Sequence, residues 1–137
     1  MAVNQYVFEG IVDILTALIP GFLEGLSYGL YQNDFSPDSS SRLSQITPCD
    51  FSGYPGVVLS SGWLAPIVSG ERVVTSADRI TFTHNSGAIG NWVYGFYVVD
   101  QEGELVCAQR FDLAPVLVQV EGFTINVDPV FSLSSEN

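Results

Sequence analysis

Residues 91–111 read NWVYGFYVVDQEGELVCAQRF and predict a β-hairpin at the centre of a sheet. At the two-residue period of a strand, the first half of this stretch places apolar side chains on both of its faces. One face takes Trp92, Tyr94, Phe96 and Val98, and the other takes Val93, Tyr97 and Val99 around Gly95. A strand that is apolar on both faces needs cover on both, so we expect it inside a sandwich, a barrel or an assembly.

The residues that follow predict the turn of this hairpin. Asp100, Gln101 and Glu102 are polar, and Gly103 can adopt the positive φ that starts a return strand. Residues 104–111 then form that return strand.

Length and composition fix the broad class of the chain. Its 137 residues suit one domain with its own core. Hydrophobic residues make up 47% and charged residues only 14%, so we expect part of the apolar surface to meet a partner. The net charge is −11 with four basic residues, all arginines, which excludes nucleic-acid binding through a basic patch. The acids are spread along the chain, as in a solvated surface.

The cysteines and the N-terminal residues carry no special signal. Cys49 and Cys107 lack metal-ligand spacing, so two buried free thiols are expected, with a disulfide left open. Glu9 and Asp13 interrupt the apolar N-terminal stretch, which has no basic n-region. We expect neither a secretory signal nor a membrane span, and therefore synthesis in the cytosol without a membrane partner.

The N-terminal 20 residues predict one amphipathic helix. Asn4 suits its N-cap, and Pro20 with Gly21 ends it. Its apolar stripe suits docking on the sheet, which we expect, or docking on another subunit. The stripe consists of Val7, Phe8, Ile11, Val12, Ile14, Leu15, Leu18 and Ile19.

The remainder of the chain predicts a long loop and a series of short strands. Residues 33–48, NDFSPDSSSRLSQITP, form a surface loop that is a candidate partner-binding arm. Alternating apolar residues predict strands at 26–31, 57–60, 73–74, 80–84, 116–120, 123–127 and 130–133. Glu121 and Gly122 turn a second hairpin, and Asp128 with Pro129 ends it.

This order predicts a mainly β fold, a β-sandwich or jelly-roll-like domain preceded by one N-terminal α-helix. The chain is then a single domain, 1–137, with the helix at 1–20, the long loop at 33–48 and a β-rich core at 54–134. About eight strands are expected, and a small barrel stays open as an alternative.

No catalytic motif is visible in the sequence. His84 is the one histidine, and no motif supplies the acid and nucleophile that a general base needs, so a locally hydrogen-bonded histidine is expected. We predict no enzyme, no catalytic residue, no cofactor and no metal.

Two clusters have a functional and a structural interpretation. Asp100, Glu102 and Glu104 supply oxygens that suit calcium, but the EF-hand spacing is missing and an acidic turn is favoured. Four aromatic residues suit a sugar-stacking platform, although a core or subunit interface uses the same residue types and is favoured. They are Trp63, Trp92, Tyr94 and Tyr97.

The order of motifs resembles a family of small virion proteins of tailed bacteriophages. Its members open with an apolar helix that contains a Glu-Gly step, and motifs built on Leu-Tyr-x-Asn-Asp, Asp-Phe-x-Gly-Tyr and Val-Tyr-Gly-Tyr follow. They read here as Glu9 with Gly10, residues 30–37 (LYQNDFSP), residues 50–54 (DFSGY), Trp63, residues 93–100 (VYGFYVVD) and residues 109–111 (QRF). The chain departs from the pattern in Phe96, where the family has Tyr, and in Gln109, where it has Glu.

The resemblance implies a structural protein of the virion. Its most direct form is a capsid decoration or cement protein on the capsid exterior, made in the host cytoplasm and acting as a homo-oligomer on the major capsid protein or another virion protein. A tail or neck component and a carbohydrate-binding β-sandwich module are the alternatives.

Overall fold

A computed structural model describes residues 21–70 and 72–134, so the helix predicted for residues 1–20 lies outside the described residues. Residues 21–24 are helical, so Gly21, which the sequence predicts as part of the helix end, lies in helical structure. Helical structure ends at Gly25, whose N–H bonds the Phe22 carbonyl at 3.2 Å, and Leu26 bonds the Leu23 carbonyl at 3.1 Å.

The described residues form a mainly β fold, as predicted. Eleven strands and one 3-10 turn, Leu43–Gln45, follow the helical residues, and every strand pair is antiparallel. The strands are β1 (Ser27–Tyr31), β2 (Val58–Leu59), β3 (Ile67–Ser69), β4 (Arg72–Ser76), β5 (Ile80–Thr83), β6 (Asn91–Val93), β7 (Gly95–Val99), β8 (Leu105–Arg110), β9 (Val116–Val118), β10 (Thr124–Val127) and β11 (Val130–Ser134).

The largest sheet has the strand order β2-β1-β7-β8. The predicted hairpin is confirmed as β7 and β8, joined by a turn in which Gly103 has φ +80°. Its predicted position at the centre of a sheet is wrong, because β8 pairs only with β7 among the described strands and lies at the edge. A bulge between Val98 and Val99 shifts the register of this pair. Strand β1 precedes the predicted β-rich segment 54–134, yet it is an inner strand of this sheet.

Three smaller sheets complete the fold, with orders β11-β4-β3, β10-β5 and β6-β9. Strand β3 is absent from the predicted strands. Buried side chains from all four sheets meet in one main core, which also takes Leu23 and Leu26 from the N-terminal side of β1. Hydrophobic burial in this shared core therefore joins the sheets.

The apolar run of residues 92–99 is not the single strand that its alternation predicts. It changes sheets at Tyr94, so that β6 pairs with β9 and β7 pairs with β1 and β8. The phase of burial changes there too: Val93 shares the main core with Phe96 and Val98, while Tyr94 joins Tyr97 on the other side. The prediction that Trp92, Tyr94, Phe96 and Val98 share one face is therefore wrong.

The prediction that residues 116–127 form a second hairpin is also wrong. Its turn forms, with the Phe123 N–H on the Val120 carbonyl at 3.0 Å and Gly122 at φ +85°. However, β9 pairs with β6, and β10 pairs with β5. Main-chain bonds of His84 explain why β9 and β10 do not pair. The His84 N–H donates to the Phe123 carbonyl and the His84 carbonyl accepts the Gly122 N–H, each at 2.9 Å. These bonds extend the pairing of β5 with β10 into the turn.

The long loop 33–48 covers the second face of the largest sheet. Ile46 is only 7% exposed and packs with Tyr31, Tyr97 and Val99 in a second hydrophobic cluster. Asn33 holds the loop closed, because its amide bonds the Gln45 carbonyl and the Thr47 N–H at 2.9 Å each. The predicted cover on both faces of β7 is thus present, and this chain's own loop supplies one side of it.

We expect Ile46→Ala to lower the free energy of unfolding by about 2–4 kcal/mol, because it empties a buried site over the sheet. Leu43→Ala is the control in the same loop, since Leu43 is 38% exposed and its loss costs about 0.5 kcal/mol. Urea unfolding monitored by tryptophan fluorescence measures both. Equal small losses would show that the loop does not stabilise the sheet.

Candidate interaction surfaces

His84 lies buried beside the loop 85–90. Its Nε2 lies 2.8 Å from the Ile89 carbonyl oxygen, its Nδ1 contacts the Asn85 carbonyl oxygen, and its ring stacks on Phe51 at 6.0 Å. These contacts are to main chain and to an aromatic ring. The expectation of a locally hydrogen-bonded histidine is confirmed.

The acidic turn between β7 and β8 uses one carboxylate for its own backbone. Asp100 Oδ1 accepts the N–H groups of Glu102 at 2.9 Å and Glu104 at 3.0 Å. Such bonds stabilise a turn without any cation. Among the residues that the structure describes, no group of three or more His, Cys, Asp or Glu side chains could hold a metal ion.

The two cysteines are free thiols in different environments. Cys49 is buried as predicted, and its burial raises the pKa of the thiol to about 12. Cys107 is exposed, so the prediction of a second buried thiol is wrong. It lies near the edge of the largest sheet because β8 pairs only with β7 among the described strands.

The four aromatic residues considered for sugar stacking lie in different surroundings. Trp63 packs against the main core and its Nε1–H donates to Ser60 Oγ at 2.9 Å. Tyr97 is buried in the second cluster, and the Arg110 guanidinium lies 5.1 Å from the centre of the Tyr94 ring. Trp92 is the exposed member, at 52%. The structure does not bring them together as one platform.

A polar cluster around Asn91 joins three separate parts of the chain. Asn91 Oδ1 accepts the N–H groups of Asp50 and Phe51 at 2.8 Å each. Its Nδ2 donates to Asp50 Oδ1 at 2.9 Å and to Gln32 Oε1 at 3.2 Å. Because Asn91 is buried, these bonds satisfy polar groups whose desolvation would otherwise cost free energy. Sequence reasoning missed this residue, whose only signal is an amide at the start of an apolar strand.

A second polar contact joins the long loop to the end of β8. The Arg110 Nη1 lies 2.6 Å from Asp34 Oδ1 and 3.3 Å from the Phe35 carbonyl oxygen, and the Tyr31 hydroxyl donates to that carbonyl at 3.1 Å. With the Tyr94 ring under Arg110, this contact unites three of the sequence motifs. The motif residues therefore hold the loop on the sheet, and none of these contacts is a catalytic arrangement.

The most exposed apolar strand is β3, which pairs only with β4 in the described residues. Ile67 is 64% and Val68 is 49% exposed, although alternate residues of a strand face opposite sides. Leu59 and Leu64 add exposed aliphatic groups within the same part of the sequence. An open strand edge with apolar side chains is a template for pairing with another chain. Composition predicted such a surface, but not its position.

Comparisons with protein-family models, with curated proteins and with solved structures found no match for this chain. Within residues 21–70 and 72–134, none of the helical structure has the length and apolar character that crossing a bilayer requires.

We expect Asn91→Ala to lower the free energy of unfolding by about 2–4 kcal/mol, because the buried Phe51 N–H and the partly buried Asp50 N–H lose their acceptor. Asn85→Ala is the matched control: Asn85 Oδ1 also accepts a main-chain N–H, that of Gly87 at 2.8 Å, but at an exposed site. Its loss should cost about 0.5–1 kcal/mol. Chemical denaturation of both variants tests this, and similar losses would contradict the role given to Asn91.

Stability should fall at alkaline pH. Burial raises the pKa of Cys49 from 9.0, and that of Tyr28 from 10.0, to about 12 in each case. The stabilisation by each protonated group is fully present below its unfolded pKa and is lost as pH rises through its folded pKa. We therefore expect the urea midpoint to hold between about pH 7 and about pH 8 and to fall between about pH 9 and about pH 12. Cys49→Ala should reduce that fall, and a midpoint independent of pH would contradict the assignment.

Proposed function

We propose that this chain is a structural protein of a tailed-phage virion, acting as a decoration or cement protein on the capsid exterior. Its partner is the major capsid protein or another virion protein, and it works as a homo-oligomer assembled after synthesis in the host cytoplasm. The motif order supports the class of protein. The observation that carries a contact function is the exposed edge of β3, with Ile67 and Val68 uncovered on its two sides.

The proposed mechanism is mechanical. An added strand bonds the open main-chain groups of β3, while its side chains cover Ile67 and Val68. Each Å² of apolar surface buried contributes about 25 cal/mol before the costs of association. A protein that binds only the assembled shell stabilises that shell by mass action, in proportion to its concentration and affinity.

The rest of the described structure supports a binding module with a rigid frame. The loop 33–48, which the sequence predicts as a candidate partner-binding arm, packs on the sheet through Ile46 and is joined to β8 by the ion pair between Arg110 and Asp34. The edge of β3, which no described strand covers, is therefore the better candidate for contact with a partner.

Quantitative protein analysis of particles purified from the source of this sequence tests the proposal. We expect the chain in numbers close to those of the major shell protein. A few copies per particle would instead indicate a tail or neck component, and absence from particles would overturn the virion assignment.

The contact surface is tested by adding purified variants to particles that lack the chain. Ile67→Lys places a charge on the β3 edge and should lower the bound amount at least about tenfold. Leu113→Lys is the control, because Leu113 is exposed on the segment between β8 and β9. Equal binding of both variants would remove β3 from the interface.

A further inference from the structure

A continuous groove runs along β8, between that edge strand and residues 126–132. Its central cavity measures about 410 Å³, and the apolar side chains of Phe96, Val98, Phe111, Val127 and Val130 line it together with the polar side chains of Gln109, Asn126 and Asp128. A second cavity of about 210 Å³ shares Val98 and Val130 with the first, so the two form one depression. This β8 groove therefore has apolar side chains on both of its walls, with polar side chains beside them.

The β8 groove lies on the core side of the sheet. Cys107 and Gln109 pair with Val98 and Phe96, and partners across a ladder point to the same face. Val98 and Phe96 belong to the main core, yet Cys107 and Gln109 are exposed. The face of the sheet that forms the main core is therefore left uncovered along β8. Apolar side chains placed in the groove would lower the free energy of the folded state.

The chain enters the described structure at one end of the groove. Leu26 and Phe131 line the smaller cavity. The ring of Phe22 packs edge-on against that of Phe131 at 6.2 Å, within a few residues of Gly21. A segment that precedes Gly21 in the sequence is thus attached beside the groove.

We infer that the β8 groove is the docking site for this chain's own residues 1–20. Their sequence carries an apolar stripe at steps of three and four, including Val7, Ile11 and Leu15, and it places Glu9 and Asp13 on the other side. The apolar stripe matches the apolar side chains of the groove, and the acids of the segment remain in water on its other side. Attachment at the groove end gives the segment a high effective concentration, which favours it over the same segment of a second copy.

Cys107 offers a test in the full chain, because this thiol lies in the groove while Cys49 is buried. Val7→Cys, Ile11→Cys and Leu15→Cys are compared with the polar-side controls Gln5→Cys and Asp13→Cys under mild oxidation. We expect an intramolecular disulfide with Cys107 for at least one stripe position, formed at least about fivefold faster than for either control. Peptide mapping by mass spectrometry identifies the bond.

A substitution in the groove separates docking from chance collision. Val130→Asp, in the groove, should reduce this cross-linking rate at least about fivefold, whereas Val120→Asp should not. The two valines are 62% and 63% exposed, so they differ in position rather than in burial. Equal rates for stripe and control positions would overturn the proposal. Disulfide-linked dimers in place of the intramolecular bond would also overturn it and would indicate a second copy as the occupant.

Discussion

Burial of β7 on both of its faces is the constraint on which the described fold depends. Phe96 and Val98 enter the main core, whereas Tyr97 and Val99 enter the cluster under the long loop. Two tyrosine–glycine pairs between β1 and β7 leave room for the aromatic rings on the face under the loop. Tyr97 lies opposite Gly29, and Tyr31 lies opposite Gly95. A Cβ at Gly95 would lie 2.6 Å from the Tyr31 ring, so the ring needs the space that glycine leaves.

The sequence predicted local elements well and their partners less well. The alternation of residues 80–84 and the Gly103 turn depend on neighbours in the chain, and both appear as expected. Pairing partners depend on contacts between residues far apart in sequence, which periodicity does not encode. For that reason periodicity predicts one strand for the run 92–99 and one hairpin for residues 116–127, although the structure divides each between two sheets.

The same limit applies to the candidate surfaces. The low content of charged residues predicts an apolar contact surface, because composition alone shows that the chain has fewer charged residues than a soluble domain usually has. The position of that surface on β3 was not readable, because Ile67 and Val68 form a short apolar run like many in a core. Asn91 was missed for the opposite reason, since a polar residue acquires a structural role only when folding brings Asp50 and Gln32 to it.

The change of sheet at Tyr94 has a mechanical consequence. Main-chain bonds from Tyr94 to Tyr31 and from Phe111 to Tyr94, each 2.9 Å, continue the ladder through the crossing point. The pair β6-β9 and the largest sheet are thus connected by covalent backbone as well as by packed side chains. A force that pulls these two sheets apart is therefore resisted by the peptide chain itself and by the two main-chain hydrogen bonds of Tyr94.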